Sequence, residues 1–132
     1  MKIKLIQPAM LPRPMDTQLK TRMAPSLALL TLANLTPETH EIVIENENVE
    51  PINFHDPVDL VAITVTVDVM NRAAEISRTF RARGIPVIAG GIHITSDPEG
   101  TSDSFDAICI GMAERIWPNI LKDAERKSLK KT

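Results

Sequence analysis

The sequence predicts an α/β fold, a doubly wound parallel sheet of five strands with helices on both faces. Three observations carry this. Short runs rich in β-branched and apolar residues recur at 3–6, 41–45, 59–66, 86–89 and 106–110. Helical patterns fall between most of them, and strands alternating with helices form parallel sheets. The run Asp59–Thr66 is apolar almost throughout, as suits a strand covered on both faces.

Ile3–Ile6 is the first strand, ending at Gln7-Pro8. Residues 8–25 hold Pro8, Pro12, Pro14 and Pro25 and read as a loop, because each proline removes a donor and turns its predecessor away from helix. Its length suits a functional loop. Lys20 and Arg22 in it face two readings, an anion contact or solvated surface. A helix over 25–35 carries Leu27, Leu29, Leu30, Leu32 and Leu35 and is apolar on most faces. Such a helix is buried or covered by a partner. Either a homodimer or an exposed patch near Leu29–Leu32 is expected. Glu41–Glu45 is the second strand, and the acidic stretch 45–58 is a surface crossover. His55 beside Asp56 reads as a solvent-exposed pair, with a catalytic dyad as the weaker alternative.

After the third strand, Asp68 caps a helix to about Arg83, with Val69, Ala73, Ile76 and Phe80 as its buried stripe. Arg72, Arg78, Arg81 and Arg83 lie off that stripe on a solvated face. Gly84 stops the helix and Pro86 opens the fourth strand. Asp106–Ile110 is the fifth strand, ending at Gly111. The last helix holds Ile116, Trp117, Ile120 and Leu121, with Pro118 in its first turns. Right-handed crossovers leave few topologies, and the flavodoxin-like, Rossmann-like order 2-1-3-4-5 is the one expected.

Composition bounds the class. At 132 residues the chain is one domain with room for a real core. It is 43% hydrophobic and 24% charged, ordinary for a soluble protein. A net charge of −2 gives no argument for nucleic acid. Cys109 is the only cysteine, so neither a disulfide framework nor a cysteine metal cluster forms within the chain, and the thiol reads as a small buried hydrophobe. No apolar run approaches a membrane span, and the N-terminus lacks a signal-peptide pattern. A cytoplasmic location is the default expectation.

The stretch most charged with functional meaning is Gly90-Gly91-Ile92-His93-Ile94-Thr95, directly after the fourth strand. Ser96-Asp97-Pro98 then reads as a helix start. Paired glycines at the carboxyl edge of a parallel sheet allow close approach of a ligand, or of the chain's own backbone in a tight turn. Nucleotide fingerprints are absent: Pro-Ala-Met-Leu-Pro-Arg-Pro follows the first strand, neither G-x-G-x-x-G nor a P-loop. No serine elbow occurs, and His40, His55 and His93 are dispersed.

Taken together, Lys4-Leu5-Ile6-Gln7-Pro8, the Leu-rich first helix before Glu41–Ile44, the run 59–66 and above all Val87–Thr95 resemble the N-terminal cobalamin (vitamin B12)-binding domain of B12-dependent radical SAM enzymes, such as the anaerobic magnesium-protoporphyrin monomethyl ester cyclase and various methyltransferases. The resemblance covers essentially the whole chain. The family's G-E-G-E after the fifth strand stands here as Gly111-Met112-Ala113-Glu114.

The resemblance implies that the nucleotide tail of cobalamin threads between sheet and helices, contacted by Thr64, Val65 and Thr66, by Gly90 and Gly91, and by Gly111 and Glu114. It implies that His93 lies near the corrin ring as a hydrogen-bonding group, with a loop-stabilising role as the even alternative. B12 domains such as that of methionine synthase carry D-x-H-x-x-G after the first strand, whose His ligates cobalt. The loop 8–25 here holds no His, so the expected cofactor is cobalamin without a protein histidine as lower ligand. S-adenosylmethionine and the 4Fe-4S cluster need C-x-x-x-C-x-x-C, which this chain lacks. They belong to a radical SAM barrel elsewhere in a longer parent, which also holds the small-molecule substrate, and residues 1–132 are its N-terminal part or a stand-alone remnant. The chain by itself is not expected to catalyse methyl transfer or cyclisation. Two other readings compete: a flavodoxin-like domain that has lost its cofactor and positions a partner or substrate, and a small enzyme using His93 or the His55–Asp56 pair.

Overall fold

The computed structural model describes residues 1–10 and 27–131. Five strands, β1 (Lys2–Gln7), β2 (Glu41–Asn46), β3 (Leu60–Thr64), β4 (Val87–Gly90) and β5 (Ala107–Ile108), form one sheet in the order β2-β1-β3-β4-β5. Every pairing is parallel, with Lys2 opposite Glu41, Ile3 opposite Leu60, Val61 opposite Val87 and Ile88 opposite Ala107. The doubly wound order expected from the sequence is the order found. The helices are α1 (Leu27–Leu35), α2 (Met70–Ala82), the short α3 (Ile92–Ser96) and α4 (Pro98–Thr101), and α5 (Ala113–Glu125). No helix among the described residues is long and apolar enough to cross a membrane.

Side chains alternate across a strand, so the buried run in each strand feeds two cores. On one face Ile3, Leu5, Leu60, Ala62 and Ile88 pack with Leu29 and Leu32 of α1 and Trp117 and Leu121 of α5. On the other, Val61, Ile63, Val87 and Ala89 pack with Ala73, Ile76 and Phe80 of α2 and with Ile94 of α3.

Several expectations change. Helix α1 does not bury all its leucines: Leu29 and Leu32 are buried, while Leu27, Leu30 and Leu35 are exposed. The exposed patch expected near Leu29–Leu32 is present, formed by Leu30 with Leu27 and Leu35 on either side. The helix start and the loop residues Lys20 and Arg22 lie outside the described residues. β3 ends at Thr64, two residues early, and β5 has only two residues. Asp68 does not cap α2; it sits in a 3₁₀ turn, Val67–Val69, and takes a hydrogen bond from the Thr66 hydroxyl. The edge stretch after Gly91 is helix, not loop, because Ile94 buries completely and pulls one turn onto the sheet. Asp97 does begin α4, accepting from the Gly100 amide ahead of Pro98.

The arginine face is also less free than expected. Arg72 grips Glu47 (Nη2–Oε2 2.6 Å) and Arg81 reaches Asp106 (3.4 Å). Arg83 donates to the carbonyls of Phe54 and Asp56. These arginines tie the crossover 47–58 and the start of β5 to α2. Lys4 is fully buried on the same face, bonded to Glu45 (2.6 Å) and to the Asn53 carbonyl (2.8 Å), with Asp56 at 3.3 Å. At the far edge of the sheet, the Ile108 amide donates to the Lys131 carbonyl (2.8 Å), and Lys131 Nζ donates back to the Phe105 carbonyl (2.6 Å).

Candidate functional site

Where the sheet's carboxyl edge meets α1 and the start of α5, the chain leaves a cleft of about 410 Å³. That is within the size range of small-ligand sites, at the edge where parallel sheets bind ligands. Ala62 and Ile88, with the strand backbone at Ile63 and Ala89, form its floor, Ala28, Leu29 and Leu32 one wall, and Ala113 and Trp117 the other. The mouth is set by Thr64, Gly90, Gly91, Ile92, Thr95 and Ser96 on one side and by Cys109 and Gly111–Glu114 on the other. Apolar side chains dominate the interior, and polar groups gather at the mouth.

Gly91 is fixed by its own chain. Its φ is +118°, and a Cβ there would lie 2.6 Å from the Val65 carbonyl oxygen and 3.0 Å from its nitrogen. Of the two readings of the glycine pair, close approach of the chain's own backbone holds for Gly91. A branched side chain there would therefore strain the β3–β4 seam rather than merely fill a ligand path. Gly90 differs: its added Cβ would meet the Cys109 Cβ at 3.3 Å and the Cys109 carbonyl oxygen at 4.0 Å, an ordinary contact. Gly111 takes φ +84°, and its amide donates to Thr95 Oγ1 (3.0 Å), which joins the two sides of the mouth.

Of the eight residues singled out from the sequence, Thr64, Gly90, Gly91, Gly111 and Glu114 line the cleft. Three lie elsewhere. Val65 is buried in the core on the α2 face, because it follows Thr64 and so points to the opposite side of the sheet. The Thr66 hydroxyl is turned to Asp68. His93 sits on α3 with its amide on the Val65 carbonyl (3.3 Å), and it does not line the cleft. Residues that the sequence reading left out of the site are Trp117, Leu29, Leu32, Thr95 and Ser96. The excess of leucines on the first helix was the available signal for two of them.

Trp117 is buried, and its indole N–H donates to Thr36 Oγ1 (2.9 Å), whose hydroxyl in turn donates to the Leu32 carbonyl (2.7 Å). This chain of bonds fixes the ring as a wall. Burial pushes the Cys109 thiol up to about 11, so it faces the cleft as an uncharged thiol. No histidine lines the cleft. His40 is engaged at both nitrogens, by the N-terminal amine (3.0 Å) and Glu125 (2.8 Å). His55 is exposed, while Asp56 is held by Lys2 (2.8 Å) and Lys4, so the neighbouring pair is no dyad. Among the described residues no group of three or more His, Cys, Asp or Glu is placed to hold a metal.

No protein-family model matches the chain. It is 37% identical over 105 residues to the bacteriochlorophyllide d C-8(2)-methyltransferase of Chlorobaculum tepidum, a match spanning 79% of this chain and 23% of that relative. The chain is thus homologous to a segment of that methyltransferase, in line with the resemblance drawn from its sequence. A solved structure, the N-terminal domain of a hypothetical protein of Thermotoga maritima, shares 26% identity at a TM-score of 0.47, covering 89% of this chain and 92% of that one.

Proposed function

We propose that this chain is the cobalamin-binding module of a longer radical SAM methyltransferase, and that the nucleotide tail of the cofactor enters the cleft between the sheet and helices α1 and α5. The observation that carries the proposal is the cleft itself: an apolar slot opening at the carboxyl edge, in a chain homologous to part of a methyltransferase. Its small floor residues, Ala62 and Gly90, leave room beside the sheet, and its walls are apolar, Leu29 and Leu32 on one side and the flat ring of Trp117 on the other. These residues fit a planar, elongated group.

Thr64, Thr95 and Glu114 at the mouth offer hydroxyls and a carboxylate to the polar linker of such a tail. When bound, cobalamin supplies a cobalt centre that carries methyl groups. This chain's part is to bind and orient it and to shield the tail from water. Among the described residues no histidine lines the cleft, so these residues would offer cobalt no nitrogen donor. S-adenosylmethionine, the iron–sulfur cluster and the substrate pocket are supplied by a barrel domain outside residues 1–132. Methyl transfer is favoured over cyclisation by the relative's name alone.

Titration with hydroxocobalamin, followed by visible absorption, tests the reading. Binding is expected, and Gly90→Val is expected to weaken it at least tenfold while His93→Ala leaves it unchanged. Paramagnetic resonance of the Co(II) form should show no nitrogen superhyperfine splitting from the protein. No binding at all would favour the alternative, a domain that has lost its cofactor and positions a partner.

A further inference from the structure

We infer that the cleft selects the tail by the polarity of its terminal ring, admitting a hydrogen-bond-poor base such as dimethylbenzimidazole and disfavouring a purine. This rests on the cobalamin reading above and sharpens it to one class of corrinoid. Among the described residues the cleft's polar side chains, Thr64, Thr95, Ser96 and Glu114, all stand at the mouth, half-buried or exposed. Ser96 already donates to the Ile92 carbonyl (2.8 Å), and Thr95 already accepts from Gly111.

Deeper in, the surfaces are Ala62, Ile88, Leu29, Leu32 and Trp117, all at least nine-tenths buried. The one side-chain N–H among them is committed to Thr36. The strands beneath the floor are paired on both sides, so their amides and carbonyls serve the sheet ladder. Among the described residues no buried side-chain nitrogen or oxygen is left without a partner. Each amino group or ring nitrogen carried to this depth loses its water and finds no side-chain partner among the described residues, whereas methyl groups gain apolar contact there; dimethylbenzimidazole brings a single free ring nitrogen and two methyls, a purine such as adenine several ring nitrogens and an amino group. The discrimination comes from the missing partner, so it is strong for a polar ring and small among apolar ones.

Three corrinoids separate the outcomes, each titrated by its visible spectrum and by quenching of Trp117, the chain's single tryptophan. Hydroxocobalamin should bind about tenfold or more tighter than the analogue with adenine as lower base, the cost of an unpaired buried polar group. Cobinamide, which lacks the tail, should also bind more weakly. Ala62→Ser, which puts a hydroxyl on the floor, should shrink the preference between the two bases. Equal affinity for the two bases, or cobinamide as tight as cobalamin, would overturn the inference and leave cobalamin binding standing. An unchanged preference in Ala62→Ser would also overturn it by removing the floor as selector. Failure of all three corrinoids to bind would instead sink the cofactor reading itself.

Discussion

The two faces of the sheet carry cores of unequal finish. The face under α2 is closed. Ile94 of α3 plugs its carboxyl end, and Lys4, Glu45 and Asp56 form a buried charged knot within it, while Arg72 and Glu47 tie down the crossover. The face under α1 and α5 is packed with apolar side chains and, among the described residues, leaves a cleft at the same end, bordered by Leu29, Leu32 and Trp117. Both are built from alternate residues of the same strands. The difference teaches that the cleft here is made by leaving one layer short at the carboxyl edge, while the opposite layer is over-determined enough to hold the sheet in place.

Breaking the closed face should have the largest effect. Glu45→Leu leaves Lys4 buried with only Asp56, at 3.3 Å, as a charged partner, and a severed buried pair costs about 3–5 kcal/mol. Adding Lys4→Met to that variant should recover most of the loss in urea unfolding, since an apolar pair of similar volume fits a core. Failure to recover would show that the knot holds Asn53 and the crossover in place, beyond its charges.

The seam between the faces sharpens the comparison. Gly91→Ala forces a Cβ onto the Val65 backbone at positive φ and should cost about 3 kcal/mol. Gly90→Ala, one residue earlier, meets Cys109 alone, its Cβ at 3.3 Å and its carbonyl oxygen at 4.0 Å, and should cost less than about 1 kcal/mol. Unfolding midpoints of the two variants decide this, and similar losses would mean the glycines serve the fold alike.

The smallest effect is a pH dependence. The hydrogen bonds from Arg72 hold the Glu47 carboxyl below the usual carboxylate range. A depressed folded value means this pair stabilises the fold above the ordinary carboxylate range and ceases to do so as pH falls through the depressed value. Arg72→Gln should therefore lower the urea midpoint at pH 7 and make less difference at pH 3. An equal gap at both values would assign the effect of Arg72 to packing.

The order of the strands was legible because each is a short apolar run with a clear stop, and parallel sheets follow from strands alternating with helices. The lengths of β3 and β5 were not, since apolar residues such as Val65 and Ile110 continue past the last pairing. Lys4 was invisible as a buried charge: nothing local to it announces that Glu45 and Asp56, dozens of residues away, will surround it. In the site, Thr64, Gly90 and Gly111 were found by their place at strand ends. Val65 and Thr66 were misplaced because the strand's alternation and early end turn one inward and the other away. Trp117 and Leu32 join the cleft through packing between helices distant in sequence, which no single stretch encodes.

The pairing of Ile108 with Lys131 has a practical side. With only two residues, β5 would otherwise present its outer backbone as an open template, the feature through which sheets from separate molecules zip together. Lys131 covers part of that template through this one backbone hydrogen bond and puts positive charge beside it. Trimming residues 1–132 back to Arg126 should therefore act on colloidal behaviour: the shortened version should clump at concentrations where residues 1–132 stay dispersed.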